Sequence, residues 1–560
     1  MTAAPELTGF SIIAGETAHR EQAAGADAFR AYAPQTGRAL DPPFHPATDS
    51  DVDDACAAAW TAFAELQARP PEDLARVLDS IADNMRALGT FLIATVAAET
   101  GLQTSRVESE RDRAVYTLRL FADVARRADW TDAIIDLADP HRAPRPRPDL
   151  RRALRPLGPA AVFGASNFPL AYGVPGGDTA SALAAGCPVV IKGHPAHPAT
   201  GELIARAISD AVQSTGLPAG VFSYLVAGGR REHAIGERLI ANPCIRAVGF
   251  TGSYEGGMAI AELSRRRPDP VPVYAEMGSC NPVVLLENAL AENAETIADD
   301  LARAILGSSG QQCTCPGLIF ARRNAATERF IDRLEARMGA VEAAPMLSPH
   351  VRATYMRRVE QTAAIRGVDL RVGEAKSPPR PPLVGRFASS ETGPADPITA
   401  KPAIFSTDAI TFRQNATLHD ESFGPSTLLV LSASETEFLN AIASVQGALV
   451  GAIYRSRDDQ PLADTVRSVL EQRVGRLVFN GVTTGVEVAH AMVQGGPFPS
   501  TNHPETSAVG HTAIRRWARP VCYQNADDAD LPPVLRDANP LGAARLVNGL
   551  QTREPLSRPV

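Results

Sequence analysis

One pattern limits what this chain can fold into more than any other. Beyond Pro156 the sequence repeats short apolar, β-rich runs that end in glycine, "AAVFGA", "CPVVIKG", "VFSYLVAG" and "IRAVGFTG". Between them lie helical stretches such as "PATGELIARAISDAVQSTG". Strands alternating with helices of this length predict an α/β fold with a parallel, doubly wound sheet. Ligands of such sheets sit at the carboxyl ends of the strands, where these glycines cluster. A second alternating region opens with "NPVVLL" at 281–286, passes through a helix expected over 291–307, and resumes after "SPPRPPLVGRFASSETGPADPITAKP" at 377–402. That Pro-rich segment reads as a surface excursion.

Ahead of the first sheet, from about 50 to 135, apolar residues recur at three- and four-residue spacing in "DDACAAAWTAFAELQ", "DLARVLDSIADNMRALGTFLIATVAAE" and "YTLRLFADVARRADW", an all-helical approach. Near the other end, "AIRRWARPVCYQ" is a further strand candidate, followed by a Pro-rich tail with no legible chemistry. At 560 residues the chain exceeds what one core supports, so two or three domains are expected. No apolar run is long enough for a bilayer, so no membrane partner is expected. The opening "MTAAPELTGFSIIAGE" lacks the basic start of a secretory signal, which leaves the cytoplasm. A net charge of −8 argues against nucleic acid. The locally basic "RAPRPRPDLRRALR" at 142–155 reads as a solvated edge strand or an arm at a subunit contact.

Seven scattered cysteines give no disulfide framework, so they are expected as free thiols. Two stand one residue apart, Cys313 and Cys315, in "LGSSGQQCTCPGL". No second pair with ligand spacing accompanies them, so no metal is expected. A thiol attacks carbon only as thiolate, and an ordinary cysteine is a few per cent ionised at neutral pH, so position must activate it. Cys313 follows a Gly-Gln-Gln turn, where backbone N–H groups are expected to steady both a thiolate and an oxyanion. In "VYAEMGSCNP", Glu276 ends an apolar strand before a glycine turn; it suits a general base, or is a strand-end charge in water. In "VFGASNFPLAYG", Asn167 is an oxyanion-hole donor or a turn residue.

Taken together and in this order, "SNFP", "IKG", "GFTGS", "EMGSCNP", "GQQCTCPG" and "ESFGP" resemble the aldehyde dehydrogenase superfamily. The segments "ELSRRRPDPVPVYAEMGSCNPVVLL", "GVEVAHAMVQGGPFPSTNHPETSAVGHTAIRRWARPVCYQN" and "LPPVLRDANPLG" are similar to its 2,5-dioxopentanoate (α-ketoglutarate semialdehyde) dehydrogenase branch, and the likeness runs over essentially the whole chain. It implies a Rossmann-type cofactor-binding domain (1–140 and 159–280), an α/β catalytic domain (281–490), a small β oligomerisation arm (141–158 and 491–524) and a C-terminal tail (525–560). It also implies Cys313 as nucleophile, Asn167 with the Cys313 N–H as oxyanion donors, and Glu276 as the base that hydrolyses a thioester. Cys315 stands where relatives commonly carry asparagine, and reads as a wall neighbour open to oxidation.

By the same likeness Lys192 meets the adenosine ribose, Gly252 and Ser253 cradle the diphosphate, Glu421 contacts a ribose, and Phe423 neighbours the nicotinamide. Pro195 replaces the acid that NAD-specific members often carry three residues after the lysine, which favours NADP with NAD possible; Arg230 is a candidate second cation. Arg113 is the candidate partner of a substrate carboxylate or else a solvated helix charge, and Phe168 and Tyr172 are expected to line the funnel. The implied reaction oxidises a small-molecule aldehyde to a carboxylate, foremost 2,5-dioxopentanoate to 2-oxoglutarate. The alternatives are an NADP-dependent dehydrogenase of long-chain or broad-range aldehydes and a cysteine hydrolase or acyltransferase without nicotinamide. A homodimer or homotetramer is implied.

Overall fold

The glycine-ended runs become strands whose alternate residues enter two different apolar cores, which is why they show no polar alternation. The computed structural model describes residues 6–18, 27–375 and 396–556. Its first sheet has seven strands, in the order Glu16–Thr17, Ile12–Ile13, Phe222–Leu225, Val189–Lys192, Ala160–Phe163, Ala247–Thr251 and Val273–Glu276. All pairings are parallel except those made by Ile12–Ile13. Ala160, Val162, Val189, Ile191, Phe222 and Tyr224 face one core, built with helices α2 (Pro71–Ala87), α3 (Gly89–Thr100), α4 (Thr104–Arg127), α5 (Gly177–Ala184) and α6 (Pro198–Ser214). Ala161, Phe163, Val190, Leu225 and Val248 face the other, built with α1 (Asp49–Leu66), α7 (Glu232–Ala241) and α8 (Tyr254–Arg265). The register sets Phe163 beside Lys192 and Phe250, and Thr251 beside Glu276, so the carboxyl ends of these strands form one row.

A second seven-stranded sheet runs Val368–Val372, Ala403–Asp408, Ser426–Ser432, Leu318–Arg322, Pro282–Leu285, Ala448–Tyr454 and Val474–Phe479. Only its first pair is antiparallel. The crossover from Pro282–Leu285 to Leu318–Arg322 uses helix α9 (Glu287–Leu306), which begins earlier than the 291–307 read from sequence. It ends in a tight turn, Gly307–Gly310, in which Ser308 and Ser309 have left-handed φ of 50° and 53°. The Pro-rich stretch at 377–402 lies mostly outside the described residues. No described helix is long and apolar enough to cross a membrane.

The third sheet has five strands, in the order Ala518–Gln524, Leu150–Pro156, Ala133–Asp136, Arg545–Val547 and Leu550–Thr552. Two sequence readings change here. Leu150–Pro156 is paired on both sides, so the basic stretch is no solvated edge: Arg151 is 1% exposed and donates to Asp149, Asp537 and the Leu535 carbonyl. Of the expected tail 525–560, the described residues up to 556 include two strands that complete the sheet. The part-buried Arg151–Asp537 pair, 2.7 Å long, ties the C-terminal stretch to Leu150–Pro156. Residues 491–517 lie outside this sheet; Gln494 and Thr501 instead touch Glu276.

Candidate active site

After the Gly307–Gly310 turn the chain is pinned on several sides. Asn281, itself left-handed at φ 43°, donates from Nδ2 to the carbonyls of Cys313 (2.8 Å) and Cys315 (2.9 Å). Thr483 Oγ1 donates to the Thr314 carbonyl at 2.7 Å. Cys313 is thereby held with its Sγ 3.4 Å from Gln494 Nε2, and the same amide donates to Glu276 Oε1 at 3.0 Å. Burial pushes the Cys313 thiol well up, and the carboxyls of Glu276 and Glu421 push it further. The expected stabilisation of a thiolate by backbone N–H groups is opposed here by burial and by two neighbouring acids, because Cys313 sits beyond a helix C-terminus and beside Glu276 and Glu421. Glu276 is 3% exposed, and burial lifts its carboxyl to about 7 against the pull of Gln494. Its Oε2 is buried without a hydrogen-bond partner. A thiol whose ionisation burial opposes thus faces a carboxyl lifted to about 7, the arrangement a proton acceptor needs.

Asn167 stands in the turn after Ala160–Phe163. The turn closes through Ala165 N to Tyr172 O and Tyr172 N to Phe168 O, each 2.9 Å. A Cβ on Gly173 would sit 1.9 Å from the Pro169 carbonyl, so only glycine permits this fold-back. From α4, the buried Glu110 accepts the N–H groups of Leu170 (2.8 Å) and Ala171 (2.9 Å) and pairs with Arg106. Asn167 Nδ2 donates to the Gln311 carbonyl at 3.0 Å, which orients the amide and leaves its second N–H for another acceptor. Phe168 and Tyr172 meet edge to face at 5.6 Å. Arg113 donates to the Tyr172 hydroxyl at 3.0 Å and, through its charge, opposes the rise of the Cys313 thiol. The structure therefore brings Arg113, Phe168 and Tyr172 together beside Asn167.

A cavity of about 1500 Å³ runs along the carboxyl ends of the first sheet and reaches Asn167, Glu276 and Cys313. At its far end Lys192 Nζ lies 3.2 Å from Glu232 Oε1. Glu232, at the start of α7, supplies in space the acid that Pro195 lacks in sequence. Arg230 is exposed on the Gly229–Arg231 turn and takes no part in the cavity wall, because that turn directs the next residues inward instead. Ser253 caps α8, accepting from Gly256 N, and its helix N-terminus opens on the cavity; a Cβ on Gly252 would lie 2.6 Å from the Phe250 ring. Glu421 and Phe423 line the same wall, and burial lifts Glu421 to about 8. A Cβ on Gly278 would sit 2.6 Å from Glu421 Oε2, so this carboxyl needs the glycine opposite. Paired ribose-type acceptors, a helix N-terminus and a buried acid leading to the thiol fit a dinucleotide.

Cys315 is buried in the core of the second sheet, where desolvation pushes its thiol up to about 12. Among the described residues no three His, Cys, Asp or Glu side chains gather as a metal group would require. Gln494 escaped the sequence reading because it reaches the site from a distant segment, and Glu232 and Glu110 because a neighbouring arginine, Arg230 or Arg113, was singled out in their place.

The family model described as "Aldehyde dehydrogenase family" matches residues 21–515. The chain is 43% identical over 546 residues to alpha-ketoglutaric semialdehyde dehydrogenase 2 of Azospirillum brasilense, covering 97% of this chain and 99% of that protein. It is 40% identical over 512 residues to alpha-ketoglutaric semialdehyde dehydrogenase of Acinetobacter baylyi, covering 91% and 93%. Among solved structures, lactaldehyde dehydrogenase from Escherichia coli superposes with a TM-score of 0.76 at 20% identity, covering 92% of this chain and 99% of that one, a likeness of fold. With a thiol, a carboxyl and an amide lining one cavity, and this match across most of its length, the chain belongs to the aldehyde dehydrogenase family.

Proposed function

We propose that this protein oxidises 2,5-dioxopentanoate, the α-ketoglutarate semialdehyde named in its two relatives, to 2-oxoglutarate through a thioester on Cys313. The observation that carries the reading is the Gln494 amide spanning Cys313 Sγ and Glu276 Oε1 at the inner end of the cavity. Glu276 takes the thiol proton as Sγ adds to the aldehyde carbon. The new oxyanion lies against the second N–H of Asn167 and the backbone N–H of Cys313. Acceptance of a hydride is the chemistry that a bound nicotinamide cofactor supplies. Glu276, having lost its proton to the cavity, then deprotonates the water that opens the thioester.

For the cofactor, the Lys192–Glu232 pair supports NAD over the NADP expected from Pro195. A carboxylate there accepts from a 2′-hydroxyl and repels a 2′-phosphate. The strand Ala518–Gln524 lies at a sheet edge and is paired on one side, which supports assembly as a homodimer or homotetramer. The test is a panel of 2,5-dioxopentanoate, hexanal and longer aldehydes, each with NAD and with NADP. Hexanal turned over as efficiently as the oxo acid would replace this reading with that of a broad-range aldehyde dehydrogenase.

A further inference from the structure

The segment that closes over Glu276 also brings a charge up behind it. Past Gln494 and Thr501 the chain turns at Gly510 into the 3-10 helix His511–Trp517, where the buried Arg516 pairs with Asp178 in the first turn of α5. The docking is double, since Trp517 Nε1 donates to Ser181 Oγ of the same helix at 2.7 Å. The guanidinium lies over the rings of Tyr274 (5.8 Å) and Trp517 (5.3 Å), and its Nε is buried without a hydrogen-bond partner. Asp178 is nearly as enclosed, its side chain 11% exposed against 4% for Arg516.

The first sheet fixes where this pair lies relative to the base. A Cβ on Gly249 would stand 2.6 Å from Asp178 Oδ2 and 2.8 Å from the Trp517 ring, so the carboxylate occupies the patch of Ala247–Thr251 that glycine leaves bare. Gly249 is the register partner of Tyr274, and Thr251 that of Glu276. Side chains alternate between the two faces of a strand, so Tyr274 and Glu276 share a face, and Asp178 and Arg516 lie on it roughly 7 Å back along the strands. Charges enclosed on both ends of such a span are poorly screened, so the field of the pair reaches the base. Burial is the main lift on the Glu276 carboxyl; the Gln494 amide opposes it, Asp178 adds to it, and Cys313 and Arg516 draw it down. Tyr172, from the Asn167 turn, and Glu421, from the cavity wall, also feel the charge of Glu276. Around the pair itself stand Tyr274 and, beyond that ring, Glu505 and His503.

We propose that Asp178 and Arg516 are positioning residues of the reaction, an enclosed pair of opposite charges outside the cavity wall that sets how tightly Glu276 holds its proton. Each charge offsets the other, so removing either one displaces the base and removing both does not. The inference rests on Glu276 as the base of the reading above, and it is independent of which aldehyde is oxidised.

The experiment records the acid limb of kcat against pH for the wild type, Asp178→Asn, Arg516→Gln and the double variant, with whichever aldehyde of the panel the wild type turns over best. Loss of the negative charge makes the Glu276 carboxylate easier to form, so Asp178→Asn is expected to move the limb down by about one pH unit. Arg516→Gln is expected to move it up by about as much, and the double variant to bring it back to within about half a unit of the wild type. The aldehyde KM is expected to stay within about threefold throughout, because neither residue reaches the cavity. A pair that only docks His511–Trp517 on α5 would lower kcat most in the double variant and leave every limb in place, and that result overturns the proposal. Shifts of the same sign in both single variants overturn it equally. Asparagine keeps an acceptor for Arg516, so Asp178→Asn disturbs the packing least and decides alone if Arg516→Gln does not fold; Asp178→Ser takes its place under the same criterion if it too fails. Glu276→Gln tells the two readings apart. A limb that survives it belongs to another group and strikes Glu276 as the base, whereas a limb that vanishes with Glu276 but stays put in Asp178→Asn strikes only the pair.

Discussion

Replacing Glu276 by glutamine separates the two proton transfers assigned to that carboxyl. The amide is nearly isosteric and the Gln494 amide can turn to pair with it, so the fold around the site is retained. With the carboxyl lifted to about 7, the ionised base falls about tenfold for each pH unit below neutrality, and wild-type turnover should decline on that acid limb. Glu276→Gln abolishes the limb, since nothing titrates at that position. It also removes a negative charge that pushes the Cys313 thiol up, so thiolate forms more readily without help. Attack should therefore survive above neutral pH while thioester hydrolysis loses its base. Rapid mixing should show a burst of reduced cofactor near one equivalent per site, followed by turnover lower by roughly 10²- to 10⁴-fold. Intact mass should show an acyl adduct that peptide mapping places on Cys313. Absence of the burst from about pH 6 to about pH 9.5 would show that attack itself needs the carboxylate. Steady turnover within about threefold of wild type would remove Glu276 from the chemistry altogether.

Four further outcomes follow from the same geometry. Asn167→Ala should slow acylation in single-turnover experiments by roughly 10²- to 10³-fold, and a loss under about threefold would reduce Asn167 to a turn residue. Glu232→Gln should raise the NADP-to-NAD ratio of kcat/KM by about tenfold, because Lys192 is released and the charge facing a 2′-phosphate disappears; an unchanged ratio in initial-rate assays would refute the ribose assignment. Cys313→Ala should abolish aldehyde oxidation while NAD binding by calorimetry persists. Cys315→Ala should keep its activity and lose about 1 kcal/mol of stability in denaturant titration, and exchanged results would reverse the assignment.

What the sequence disclosed divides along a physical line. Glu276 and Asn167 were legible because each ends or follows a glycine-terminated strand, and a doubly wound sheet fixes where such ends lie; Cys313 was legible from the Gly-Gln-Gln turn that follows a helix. Their charge states were not, since burial and the mutual field of Cys313, Glu276 and Glu421 exist only after folding. Arg230 misled through its nearness in sequence to the cavity, whereas two residues later Glu232 turns inward to Lys192. Gln494 carries no local signature, and 491–510 read as part of an arm although it closes over the base. One missed element did have a signal. In "LVNGLQT" the pair Asn548-Gly549, with φ of 47° and 84°, forms the tight turn that Asn-Gly between apolar runs announces.

That hairpin also sets the timing of the protein's own making. Ala133–Asp136 lies parallel to Arg545–Val547, and Leu137 N reaches Asn548 Oδ1 across 411 positions of chain. At about 5–20 residues per second, a ribosome leaves the early strand waiting roughly 20 to 80 seconds for its neighbour. Throughout that interval the edge of Ala133–Asp136 offers unpaired backbone groups to any passing strand, including the same segment of a nascent neighbour on one messenger. The Asp residues at 132 and 136 bracket its apolar centre, and Arg152 is already available to meet Asp132 before the last strands emerge. Slowing translation late in the message should therefore raise aggregation of this protein without altering any residue of it.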